Sequence, residues 1–169
     1  MKIYIACLAA YNSGYLHGKW IDVSSDEEEM ETEAQKVIKT SPVPDAEEWA
    51  IHDYDDFPDM GEYVSFEKIA EIADMIESSE HDADVVKAVL DNYHNDMDAA
   101  QTALEDNLGV WDSFQDYADD FADEMMACHN CGNGEWIKQY FDYEKYARNI
   151  EYDYAVIDVP KGVFIAPNY

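Results

Sequence analysis

The sequence predicts an α+β fold laid out in three consecutive regions, and three observations predict it. Apolar residues alternate at Ile3, Ile5 and Cys7 and again at Trp49 and Ile51, the period of half-buried strands. From Phe66 onward they recur in steps of three and four, the period of amphipathic helices. After Gly132 and Gly134 a short helical pattern leads into two strand-like runs around Pro160-Lys161-Gly162.

The elements follow in order. Residues 2–8 read as a strand, and Tyr11-Asn12-Ser13-Gly14 as a turn, because Asn and Gly tolerate positive φ. Residues 15–23 return as a second strand, an antiparallel hairpin with the first. Ser25-Asp26-Glu27-Glu28 fits a capping box, with Met30, Ala34, Val37 and Ile38 following at helical spacing. Pro42 and Pro44 stop that helix, and residues 48–54 alternate as a third strand. Ser65 caps a helix carrying Phe66, Ile69, Ile72, Ala73 and Ile76. His81 or Asp82 opens another, with Val85, Val86, Val89, Leu90 and Tyr93, and Asn95 or Asp96 a third, with Ala99, Ala100, Ala103 and Leu104. Short polar joints between these helices predict antiparallel neighbours. A helix over 110–127 comes next, then one over 142–150, then a hairpin of Tyr154–Val159 with residues 163–166.

The helix over 110–127 carries two stripes. Trp111, Phe114, Ala118, Phe121 and Met125 form the apolar one. Asp112, Asp116, Asp119 and Asp123 follow the same steps roughly 150° around the helix, at about 100° per residue. Asp120 and Glu124 widen the acidic stripe, and no Lys or Arg interrupts it. Like charges at i,i+4 cost a few tenths of a kcal/mol each, so the arrangement opposes folding. A solvated helix face needs charge, but not charge of one sign.

The rest of the chain repeats that imbalance. Its 169 residues carry a formal net charge of −29, and between Thr40 and Ile137 the only basic residues are Lys68 and Lys87. A hydrophobic content of 47% and an aromatic content of 14% argue against disorder. Such a charge repels nucleic acid and anionic membranes and attracts basic surfaces. Duplex DNA carries one charge per roughly 1.7 Å, so this charge equals about 49 Å of duplex, and a dimer about 99 Å. A compact chain of this length has a radius of gyration of about 15 Å and so a diameter of roughly 40 Å. A DNA-like charge density therefore suits an elongated molecule.

Metal and catalytic chemistry find little footing. Cys128-His129-Asn130-Cys131 has zinc-like spacing, but a structural zinc needs four ligands and no second pair follows. His52, His81 or His94 would complete a site only by chance of folding, and no βαβ pattern supports a redox pair. Asp53-Tyr54-Asp55-Asp56-Phe57 and Asp96-Met97-Asp98-Ala99-Ala100 begin like calcium loops but lack the central Gly and the terminal Glu in register. There is no nucleophile elbow and no phosphate-cradling Gly loop; His17 and His52 sit in predicted strands. We expect no enzyme and no cofactor. Three cysteines, Cys7, Cys128 and Cys131, without a framework suggest a reducing cytoplasm. The run from Ile3 to Ala10 reads better as a strand than as a signal peptide, and no stretch has the ~18–20 apolar residues of a membrane span.

Three blocks carry a resemblance. The first is Ile3-Tyr4-Ile5-Ala6 with Tyr11-Asn12-Ser13-Gly14 and Gly18-Lys19-Trp20. The second is Glu48-Trp49-Ala50-Ile51-His52-Asp53-Tyr54. The third is Tyr140-Phe141-Asp142-Tyr143-Glu144-Lys145-Tyr146-Ala147-Arg148 with Gly162-Val163-Phe164. Their order and spacing resemble the ArdA antirestriction proteins of plasmids and conjugative transposons, mobile elements of horizontal gene transfer. The middle, about residues 65–130, resembles the family in acidity and length more than in identity, and the Cys128/Cys131 pair is not part of the pattern.

The resemblance implies elongated dimers of three-domain subunits that mimic bent B-form DNA with surface carboxylates. Such proteins occupy the DNA-binding groove of type I restriction–modification enzymes, including the methyltransferase core. They need no catalytic residue and bind no nucleic acid or membrane. On this footing the chain is an elongated α+β chain of three small domains. They are a β-sheet plus helix over 1–62, an acidic helical bundle over 63–106, and mixed helices plus a β-hairpin over 107–169. The expected DNA-mimic surface is Glu71, Asp74, Asp84, Asp91, Asp98, Glu105, Asp112, Asp116, Asp119, Asp120 and Asp123, extended by Asp53, Asp55, Asp56 and Asp59. The dimer contact is expected in the less acidic C-terminal third, where repulsion is least, with Tyr140, Phe141, Tyr143 and Tyr146 as candidates. Two other readings are an acidic adaptor or chaperone for a basic nucleic-acid-binding protein, and a calcium-binding protein.

Overall fold

The computed structural model describes residues 1–128 and 137–168. The Cys128/Cys131 reading depends on side chains that lie outside those described. The backbone forms two compact units, Met1–Asp91 and Asn92–Tyr169. The boundary between Asp91 and Asn92 falls inside the helical region expected over 63–106.

The first unit is built on a three-stranded antiparallel sheet, ordered β2–β1–β3, from β1 (Lys2–Cys7), β2 (Gly18–Asp22) and β3 (Trp49–Asp55). Ile3, Ile5 and Cys7 of the central strand are fully buried, as their alternation predicts. Helix α2 (Glu27–Lys39) covers the sheet through Met30, Ala34, Val37 and Ile38. Its cap is Asp26, whose carboxylate accepts from the Glu28 N–H at 3.0 Å, rather than the Ser25 of the expected capping box. Helices α3 (Phe66–Ser78) and α4 (Ala83–Asn92) follow, α3 capped by Ser65 as predicted.

The turn expected over 11–14 is entered through a helix, with only Ser13 and Gly14 left as turn. Leu8-Ala9-Ala10-Tyr11-Asn12 forms the short α1 (Leu8–Asn12), burying Ala10, and the second strand starts only at Gly18. Leu and Ala favour helix, and that preference extends up to the Asn-Ser-Gly stop. Gly18 is required by packing: a Cβ there would lie 2.6 Å from the Ile5 carbonyl oxygen and from the Tyr4 ring.

The second unit holds α5 (Met97–Glu105), α6 (Phe114–Cys128), α7 (Tyr143–Ile150) and a second three-stranded sheet ordered β4–β6–β5. Its strands are β4 (Val110–Trp111), β5 (Tyr154–Val159) and β6 (Gly162–Pro167), with Phe164, Ile165 and Ala166 of the central strand fully buried. Asp96 and Asp142 cap α5 and α7 through the Ala99 and Lys145 N–H groups.

The helix expected over 110–127 begins four residues late. Val110 and Trp111 pair with Phe164 and Val163, and Ser113 Oγ accepts from the Asp116 N–H at 3.2 Å to cap α6. Gly162 makes that pairing possible: at φ 132° it admits no side chain, and a Cβ would overlap the Trp111 carbonyl. The buried face of α6 is accordingly Phe114, Tyr117, Ala118 and Ala122, with Phe121 packed alongside, while Met125 is 46% exposed. The expected stripe loses Trp111 to β4 at one end and Met125 to solvent at the other.

Candidate functional site

The expected surface consists of carboxylates, so its chemistry depends on which are solvated and which are already engaged. In the first unit Asp53, Asp55, Asp56, Asp59, Glu71, Asp74, Asp84 and Asp91 are all exposed. Asp53 and Asp55 stand two apart on β3 and so share one face of the sheet. Asp59 accepts from the Gly61 N–H at 2.9 Å, in the loop where the Tyr54 hydroxyl donates to the Gly61 carbonyl at 2.6 Å. Burial, seconded by the Asp59 charge, pushes the Tyr54 phenol up to about 12.

Two lysines hold down Asp56, Glu71 and Asp84. Lys87 Nζ lies 2.5 Å from Asp56 Oδ1 and 2.8 Å from Asp84 Oδ1, and the Met1 ammonium lies 3.6 Å from Asp56. The Lys87 ammonium holds the Asp56 carboxyl below its ordinary value. Burial pulls the Lys87 ammonium down, but Asp56 and Asp84 together outweigh it and its pKa rises. Lys68 reaches Glu71 at 3.3 Å. Asp56, Glu71 and Asp84 are therefore not the unopposed charges that their neighbours in the chain suggested.

In the second unit Asp98 and Glu105 lie on the exposed side of α5, where Gln101 Nε2 donates to Glu105 at 2.6 Å. Asp112, Asp116 and Asp120 are exposed and Asp119 is half-buried, accepting from Gln115 at 2.6 Å. Successive i,i+4 carboxylates rise about 6 Å along such a helix. Asp123 is the exception in this series. It meets Lys138 at 2.7 Å and accepts from the Tyr143 hydroxyl at 2.6 Å, and those two partners, Lys138 first, lower its pKa. No residue from 88 to 137 is Lys or Arg, so Lys138 comes from just past that stretch.

The exposed set is wider than expected. Glu67 and Glu77 on α3 are as exposed as the residues singled out, and the same i,i+4 and i,i+3 spacing from Glu71 and Asp74 would have found them; Glu124, which widens the acidic stripe of α6, is exposed as well. The four aromatic candidates separate. Tyr140 is 80% exposed, whereas Phe141 packs on Tyr143 and Tyr146 at 4.8 and 5.3 Å. Tyr146 also packs against the core of its own unit, around Tyr117, Ala118, Ala147 and Ile165. Burial raises the Tyr146 phenol, with Tyr154 adding to the effect, and raises Tyr117 still further.

Among the described residues no group of three or more His, Cys, Asp and Glu side chains is placed to hold a metal, and no helix is long and apolar enough to cross a membrane. Residues 3–165 match the family model described as antirestriction protein (ArdA). The chain belongs to the ArdA antirestriction family. No curated protein matches it. Members of the ArdA family are inhibitors rather than enzymes, and membership points to restriction–modification enzymes as partners. An ArdA chain thus needs a surface that engages another protein, and here the acidic face is the prominent one.

Proposed function

We propose that this ArdA family member imitates B-form DNA and blocks the DNA-binding groove of type I restriction–modification enzymes, including the methyltransferase core. One observation carries the reading: a stretch without Lys or Arg, residues 88–137, presents exposed carboxylates along α5 and α6. A DNA-binding groove is lined with Lys and Arg placed for phosphates. Carboxylates held by folded backbone meet the same groups in charge-assisted contacts. Fixed protein charges carry fewer condensed counterions than a duplex, so less salt dependence is expected than for DNA itself, in the same direction.

The protein acts on this reading as a three-domain homodimer joined near its less acidic C-terminal third, without binding nucleic acid. The test is DNA cleavage by a purified type I enzyme with the protein titrated in. Inhibition relieved by added duplex and weakened by raised salt supports the reading. Inhibition unchanged by salt up to physiological strength rejects electrostatic mimicry as the main attraction. A histone-like basic protein that binds it as tightly as the enzyme does would favour the adaptor reading.

A further inference from the structure

Sheet β2–β1–β3 has two edges, and they differ. Along β3 the Ile51 N–H donates to the Glu62 carbonyl at 3.0 Å, so the chain covers that side. Along β2 the ladder to β1 runs without a bulge, with Ile3 opposite Ile21 and Ile5 opposite Lys19. At its ends Val23 N–H donates to Met1 C=O at 3.2 Å and Cys7 N–H to His17 C=O at 3.0 Å. Bonding alternates along an antiparallel ladder, so the odd-numbered residues of β2 face β1. The backbone groups of Gly18, Trp20 and Asp22 therefore point outward, and among the described residues no other segment bonds to them.

An open edge is usually blunted by a free lysine, a proline or a bulge. Here the strand has neither proline nor bulge, and its two charged side chains are each engaged, Asp22 with Lys2 at 3.8 Å. Lys19 is drawn onto Glu33 at 2.8 Å, and Glu33 is shared with Lys36. A groove of about 730 Å³ runs between β2 and α2 beside the edge. Asp22, Asp26, Glu28 and Glu29 line it, all exposed, together with Trp20, whose ring meets Tyr4 edge-on at 5.4 Å.

We infer that the β2 edge takes an extended segment of a partner protein with Lys or Arg at alternate positions. Such a segment pairs with the outward backbone groups of Gly18, Trp20 and Asp22 as a fourth strand. Its side chains then fall alternately on the α2 side, towards Glu28 and Glu29, and on the opposite side, beside Trp20 and Asp22. A cation over the Trp20 ring and cations against Glu28 and Glu29 supply the specificity, while Asp22 is shared with Lys2. A second copy of this chain fits worse, because it sets Asp22 and the α2 glutamates against their own kind. The surface belongs to the first unit, and its test needs no restriction enzyme.

The experiment uses the full chain and two short synthetic peptides of alternating Arg and Thr, one with N-methylated amides at alternate positions. N-methylation keeps every charge and removes strand pairing. The unmodified peptide is expected to bind about tenfold or more tightly, since it alone makes the backbone bonds. Its largest amide shifts are expected at Gly18, Trp20 and Asp22. Asp22→Pro, which removes an outward donor, and the double variant Glu28→Gln/Glu29→Gln are each expected to weaken binding several-fold. The double variant keeps the backbone intact should Asp22→Pro fail to fold. Equal affinity for the two peptides overturns the inference, as do shifts centred on α5 and α6, or pairing of the free chain with itself through β2.

Discussion

The two units share a plan and differ in how they handle charge. Each is a three-stranded antiparallel sheet with its most buried strand in the middle, β1 in one and β6 in the other, and helices packed against it. In the first unit Lys2, Lys19, Lys36, Lys68 and Lys87 each sit on a carboxylate, and Glu33, clasped by Lys19 and then Lys36, is lowered to about 2. On α6 of the second unit, among the described residues, a cation reaches Asp123 alone. A carboxylate answered within its own unit offers little to an outside cation. Equal acidity in sequence is thus unequal acidity at the surface, and α6 keeps most of its carboxylates open.

The backbone pairing of the second unit offers the largest effect. Gly162→Ala places a Cβ on the Trp111 carbonyl at a φ that disfavours any side chain, and a loss of roughly 2–4 kcal/mol is expected in urea unfolding. Gly14→Ala also sits at positive φ, but with nothing within 4 Å, so a loss of about 1 kcal/mol is expected there.

The charge comparison itself is sharpened by two triple variants. Neutralising Asp112, Asp116 and Asp120 to Asn removes open charges, each worth about a kcal/mol or less, and inhibition of a type I enzyme is expected to weaken by about 10–100-fold. Neutralising Asp56, Glu71 and Asp84, which already have lysine partners, is expected to weaken it less. Equal losses from the two sets would erase the distinction.

Lys87→Met strips the counter-ion shared by Asp56 and Asp84, and the Lys87 side chain is only 18% exposed. A loss of about 1 kcal/mol in stability is expected, small because both carboxylates remain open to water. The Asp56 carboxyl should climb back towards its ordinary value, which a titration followed by NMR would register.

Acid offers the smallest effect. The Glu33 pKa is depressed in the fold, so its stabilisation is complete above the unfolded value of 4.5 and is lost as pH falls towards about 2. Glu33→Gln is expected to flatten the unfolding midpoint over that window, to lower it at neutral pH more than other acid-to-amide variants on α2 do, and to meet the wild type near pH 2. A wild-type midpoint with no dependence on pH between those limits would show the Lys19–Glu33–Lys36 cluster to be loose.

Local pattern was readable wherever neighbours in sequence decided the outcome. Ile3, Ile5 and Cys7, the Ser65 cap with Ile69, Ile72 and Ile76, and the closing hairpin all stand where alternation and spacing put them. The failures lie where distant segments decide. Val110 and Trp111 favour strand by type but are too few to show an alternation, and they become β4 because Phe164 and Val163 arrive beside them. The exception is local: the helix-forming residues Leu8, Ala9 and Ala10 carry α1 into Tyr11 and Asn12, the first half of the turn expected over 11–14. The acidic site was legible as a composition but not as a pattern of partners, since Lys87 meets Asp56 across 31 residues and Lys138 meets Asp123 across 15.

By itself the order of residues determined the charge and its sign, the kinds of element, and the family to which the chain belongs. Those rest on composition, short-range periodicity and matching motifs, which need no folded chain. Only the tertiary structure decided which carboxylates keep a cation, which face of α6 is buried, and that β2 ends its sheet with backbone groups exposed. Coulomb attraction and hydrogen bonding act over a few ångströms of space, and folding alone brings residues far apart in the chain within that reach.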